Sequence, residues 1–138
     1  MIMVLVINQG GNTIRETIIK VPDENDLAFI EALHDLGVNR NVATLITYLK
    51  ELNECTSREI EKATGLRQPE VSIAIQALRE NGWVAERELK REGKGRPKKV
   101  YALRSTIGDI IQFYEDMKLQ ESEQIFQVFT KLRELSSA

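Results

Sequence analysis

The sequence holds one cysteine, one histidine and three prolines in 138 residues, and aromatic side chains make up only 6% of it. A single thiol, Cys55, excludes an intrachain disulfide and a zinc site built on paired cysteines, and it fits a reducing compartment. A single imidazole, His34, removes most constellations that set a base beside a nucleophile. No glycine-rich phosphate cradle and no metal-ligand spacing is present, so no enzyme, cofactor or metal centre is expected. Apolar runs are short as well. None approaches the roughly eighteen residues that cross a bilayer, and the opening "MIMVLVIN" lacks the basic flank and cleavage site of a signal peptide. The expectation is a cytoplasmic protein with no membrane partner: one domain, or a domain with appended elements.

What the chain does have is charge, unevenly placed. Lys90, Arg91, Lys94, Arg96, Lys98 and Lys99 stand within ten residues against Glu92 alone. That segment carries +5 in a chain of net −2, which leaves −7 for the remainder. An acidic body with one basic stretch offers a polyanion a single address.

Periodicity supplies the rest of the organisation. Residues 1–22 read as two β-prone runs around Gly10-Gly11, a hairpin closed by Pro22. Leu27, Ile30, Leu33 and Leu36 predict a first helix stopping at Gly37. Asn39 caps a second, with Val42, Leu45, Ile46, Leu49 and Leu52 on its apolar face. Thr56 and Glu59 form a T-x-x-E capping box for a third, which ends at Gly65. Pro69 sits in the first turn of a fourth, where Val71, Ile75 and Leu78 face inward and Gly82 is the stop. Two short helices joined through a glycine make a helix-turn-helix. Then "WVAERELKREGKGRPKKVYAL" reads strand, loop, strand, with the basic run at the loop. The tail, 105–138, is helical in period on either side of polar "LQESEQ", so two helices or one broken helix are expected. No large partner domain remains for its apolar residues, so part of that surface is expected to meet a second copy of the chain, the alternative being a core wholly within one chain.

The run "TSREIEKATGLRQPEVSIAIQALRENGWV", followed by "GKGRPKKVYAL", resembles winged helix-turn-helix regulators of the MarR, ArsR and TrmB kind, especially a group of archaeal predicted transcriptional regulators. The resemblance covers roughly residues 37–103. It implies a mainly α fold with a small β component, a winged helix-turn-helix over 23–104; the N-terminal hairpin over 1–22 and the C-terminal dimerisation helices over 105–138 lie outside the resemblance and rest on the periodicity above. It also implies a sequence-specific regulator binding double-stranded DNA as a homodimer, with helix 67–81 in the major groove and wing 90–99 on phosphates or the minor groove.

Carried onto this sequence, the DNA-facing residues are Arg67, Gln68, Glu70, Ser72, Ile73 and Gln76, joined by the six basic wing residues. Arg67 and Gln68 are base readers or, equally, phosphate contacts or caps. Ile73 and Ala74 stand where relatives often carry basic or polar residues. They can touch thymine methyls but add no charge, which shifts affinity onto the wing. Gly95-Arg96-Pro97 resembles a minor-groove hook. The remaining alternatives are a protein-interaction module built on a winged helix and a non-specific architectural DNA binder. Cys55, just before a helix cap, invites a redox role, though a half-buried loop residue is the plainer expectation. His34 is expected to be packed or on the surface.

Overall fold

The computed structural model describes residues 2–9, 13–20, 22–89, 95 and 97–137, the first two stretches by their backbone. Strands β1 (Ile2–Gln9) and β2 (Thr13–Lys20) pair antiparallel from Ile2↔Lys20 to Gln9↔Thr13. The Gly10-Gly11 turn expected between them lies outside the described residues.

Helix α1 (Glu24–Asp35) starts at a reciprocal box: Asp26 N donates to Asp23 Oδ1 at 2.8 Å, and Asp23 N to Asp26 Oδ2 at 3.1 Å. This satisfies two helix-end donors at once. Its buried face is narrower than the spacing predicts. Ile30 and Leu33 are buried, whereas Leu27 and Leu36 are exposed.

Helix α2 (Arg40–Leu49) is capped by Asn39, whose Oδ1 accepts from Asn41 N at 2.9 Å. Leu45, Ile46, Thr47, Tyr48 and Leu49 are buried in succession, which no one-sided helix allows. Neighbours explain it: α1, α3 and α4 all pack on α2. The core is therefore centred on this helix, and polar Thr47 is accommodated by donating its hydroxyl to Ala43 O at 2.7 Å.

Helices α3 (Ser57–Thr64) and α4 (Gln68–Glu80) follow, with Thr56 Oγ1 accepting from Glu59 N at 3.2 Å at the head of α3. Between them Gly65 takes φ 75°, a left-handed value that side chains disfavour. The end of α4 is fastened by two bonds, Gly82 N to Arg79 O and Trp83 N to Leu78 O, each 2.9 Å. This double closure turns the chain directly into the wing.

Three antiparallel strands complete the body in the order β3-β5-β4: β3 (Cys55–Thr56), β4 (Val84–Leu89) and β5 (Lys98–Leu103). Strand β3 corrects the sequence reading. Cys55 is no half-buried loop residue but a fully buried strand residue paired with Tyr101.

The tail is a second correction. Residues 107–136 form one unbroken helix, α5 (Ile107–Ser136), about 45 Å long at 1.5 Å per residue. "LQESEQ" is polar, but it contains neither glycine nor proline and consists mostly of good helix formers, so nothing in it interrupts the backbone ladder. The chain divides into two units, 1–105 and 106–138. Among the described residues no helix is long and apolar enough to cross a membrane.

Candidate functional site

Helix α4 has two chemically distinct faces. Val71, Ala74, Ile75 and Leu78 are buried at 3% exposure or less. Arg67, Gln68, Ser72, Ile73 and Gln76 are exposed, and Ile73 reaches 71%, an unusual position for an isoleucine in a packed domain. Five of the six residues expected on the outer face are therefore brought together there.

Glu70 is the sixth, and it is engaged within the fold. Its Oε1 accepts from Arg67 N at 3.0 Å and its Oε2 from Asn41 Nδ2 at 3.2 Å, which fastens the start of α4 to the start of α2. Arg67 is the N-cap residue of α4, and its backbone donor serves the cap while its side chain is exposed. Ala74, expected to touch thymine methyls beside Ile73, is instead buried. It follows Val71 by three residues and precedes Leu78 by four, on the inward stripe of the helix.

Beside this face stands the wing. Strands β4 and β5 pair from Val84↔Leu103 to Leu89↔Lys98, and residues 90–97 connect them in the sequence. Trp83 is buried at its base, where its carbonyl accepts from Arg104 N at 2.7 Å. Lys98 is half-buried and Lys99 exposed. Lys90, Arg91, Lys94 and Arg96 lie outside the described residues. Gly95 takes φ 147°, backbone that favours glycine.

Two sets of charged contacts hold the wing. Arg87 on β4 grips Glu54 through two bonds of 2.7 and 3.0 Å, and that carboxylate raises the guanidinium pKa. On α4, Arg79 Nη2 lies 2.7 Å from Glu86 Oε1, and Lys99 Nζ lies 3.6 Å from the other carboxylate oxygen. Arg79 also donates from Nη1 to Gln76 Oε1 at 2.7 Å. Arg79 and Glu86 are absent from the sequence-derived set. They stand seven positions apart across a tight turn, so no periodicity signals the contact.

Elsewhere, a cavity of about 230 Å³ opens among α1, α2 and α3, with the Glu31–Arg40 ion pair (2.6 Å) and Tyr48 in its lining. The neighbouring guanidinium lowers the Glu31 pKa. Cys55 Sγ lies 3.8 Å from Tyr101 O, out of contact with solvent. His34 Nδ1 is 3.1 Å from Val38 O at the α1–α2 turn, an exposed structural position. The described residues contain no cluster of three or more potential metal ligands.

A helix-turn-helix packed on α2, followed by a hairpin whose inner strand also pairs with the segment before α3, defines the class: this chain is a winged helix-turn-helix protein. The MarR family model matches residues 36–96, from the end of α1 into the wing. Among solved structures the chain is similar to TrmBL2, an archaeal chromatin protein whose structure shows a novel mode of DNA binding. The TM-score is 0.60 at 14% identity, over 80% of this chain and 40% of that one. The chain thus spans about 40% of the length of TrmBL2, and the likeness is one of fold. A MarR family regulator from Neisseria meningitidis also aligns, at 18% identity and TM-score 0.44, over 80% of this chain and 82% of that one. No curated protein matches the sequence.

Proposed function

We propose that the protein is a sequence-specific, homodimeric DNA-binding transcriptional regulator. The observation that carries this is the pairing of an outward helix face, Gln68, Ser72, Ile73 and Gln76, with an adjacent hairpin whose two strands are linked in the sequence by the basic run. Helix α4 lies in the major groove, where Gln68 and Gln76 meet base edges, Ser72 donates to a base or phosphate, and Ile73 contacts thymine methyls. Arg67 reaches a phosphate or a guanine. Glu70 acts from behind, by fixing the start of the helix. Lys90, Arg91, Lys94, Arg96, Lys98 and Lys99 neutralise phosphates along the flanking groove. The match of residues 36–96 to a family of regulators supports the same reading.

Dimerisation falls to α5. From 119 to 137 every residue is exposed, including Ile125, Val128, Leu132 and Leu135 at the 3-4-3 spacing of a coiled-coil seam. Two copies joined there present two α4 helices to two half-sites.

A second reading is an architectural DNA binder with little base discrimination. The apolar, uncharged Ile73 at the centre of the outer face favours it, as does the fold shared with TrmBL2. Binding to labelled duplexes over a series of salt concentrations tests both. The slope of log affinity on log salt should be about −0.9 for each phosphate neutralised. No measurable affinity would contradict any DNA-binding role, a salt-independent affinity would remove the wing's phosphate contacts, and equal affinity for every sequence would favour the architectural reading.

A further inference from the structure

We propose that Arg79 and Glu86 are positioning residues that fix which end of the Gln76 amide faces the DNA. This rests on the DNA-binding reading above and names how one of its contacts is set.

Arg79 follows Gln76 by three residues on α4, the spacing at which helical side chains meet. Its Nη1 donates to Gln76 Oε1 at 2.7 Å while its Nη2 holds Glu86 Oε1 at 2.7 Å. Glu86 in turn faces Lys99 Nζ at 3.6 Å, so one line of contacts runs from β5 through β4 to the outer face of α4.

A guanidinium can only donate. The amide of Gln76 must therefore turn its oxygen to Arg79, which leaves the NH₂ group as the end offered outward. A glutamine held that way meets base acceptors: guanine N7 and O6, adenine N7 or thymine O4. It is mismatched with the N4 donor of cytosine. Without Arg79 the amide rotates and can accept as readily as donate. Without Glu86 the Arg79 guanidinium is drawn to nearby phosphates, and its hold on Gln76 is shared.

Stability is not the purpose of this chain of contacts. Arg79, Glu86 and Lys99 side chains are 43%, 31% and 56% exposed, and exposed pairs of this kind add little to folding. Their removal leaves the fold in place, which makes the base preference a clean readout. Through Glu86 the same contacts tie base readout to β4, a strand of the wing hairpin.

The test is duplex selection from a random pool with the full-length protein and its Gln76→Ala, Arg79→Ala, Glu86→Gln and Lys99→Ala variants. Gln76→Ala should erase the preference at one base pair per half-site, where the wild type rejects cytosine on the contacted strand. Arg79→Ala and Glu86→Gln should relax that same base pair roughly two- to fivefold, the range of an exposed charged contact, and leave the others alone. Adding Glu86→Gln to Gln76→Ala should change nothing further. Lys99→Ala should weaken all duplexes alike. The proposal is overturned if Glu86→Gln leaves that base pair untouched, if relaxation spreads evenly over the site, or if the wild type selects cytosine there. A wild type that enriches no sequence removes the specific-regulator reading and this proposal with it, whereas a specific wild type with unresponsive variants removes the proposal alone.

Discussion

Apolar residues at helical spacing meet opposite fates in two regions of this molecule. In α2 and α4, Leu45, Ile46, Leu49 and Leu78 are at most 1% exposed. Along the distal half of α5, Leu119, Ile125, Phe126, Val128, Phe129, Leu132 and Leu135 are all 50–67% exposed. The sequence pattern is similar; the neighbours differ. Helix α2 has packed neighbours in α1, α3 and α4, so even Thr47 and Tyr48 are buried. The distal α5 carries an exposed apolar stripe, and monomers in water seldom keep so contiguous an apolar surface. The body is a finished core; on the proposed reading the tail is half of one.

The largest effect that separates them comes from the same truncation in both. Leu45→Ala should destabilise the body by about 2–5 kcal/mol, the transfer term plus a cavity, at any protein concentration. Leu132→Ala should destabilise only through association, so its effect in urea unfolding should shrink on dilution. A concentration-independent loss at Leu132 would mean that its cover lies within the same chain.

Two charges in the tail sharpen the contrast. Ile125→Asp with Leu132→Asp should weaken self-association at least roughly a hundredfold, as expected for truncated or charged anchor residues, while the circular dichroism of the body is kept. Sedimentation velocity reads this directly. An undiminished dimer would place the interface elsewhere.

The wing and the helix face should differ in kind rather than size. Arg96→Ala with Lys98→Ala should lower affinity for all duplexes alike and flatten the salt slope by about 1.8, two phosphates at 0.9 each. Affinity that survives both changes would remove the wing as the anchor.

The smallest effect concerns a flaw within the finished core. The Tyr48 hydroxyl is buried and has no hydrogen-bond partner among the described residues. Burial is the main cause of its raised pKa, with Cys55 and Glu59 adding to it. Tyr48→Phe should therefore be neutral or stabilise by up to about 1 kcal/mol. The unfolded chain ionises this tyrosine near pH 10 while the folded chain keeps it protonated. Stability is thus unaffected by Tyr48 below about pH 10 and falls as pH rises above it, a fall that Tyr48→Phe should reduce. Thermal unfolding across the alkaline range checks both signs.

Much of the body was legible because its signals are local. Asn39, Thr56, Gly65 and Pro69 each mark a boundary through one backbone requirement, and the wing announces itself by alternating residues around a glycine-rich basic run. The outer face of α4 followed from the resemblance, and its exposed residues are where that placed them. What escaped has non-local causes. Two residues of β3 have no period of their own and exist only because β5 pairs with them. Ala74 is small enough to read either way until the neighbours of α4 are in place. Glu70 and Gln76 are polar residues whose roles depend on partners distant in sequence: Asn41 for one, and Glu86 through Arg79 for the other. The unbroken α5 was obscured because polarity was mistaken for interruption, although only glycine, proline or a competing cap stops a helix.

Two outward α4 faces joined through the tail would read two half-sites together, which duplex selection checks when run on the wild type beside the Ile125→Asp, Leu132→Asp variant. The wild type should enrich an inverted repeat whose half-sites lie about one helical turn apart, and the variant a single half-site of the same sequence. Identical enrichment in both proteins, or none in the wild type, would contradict it.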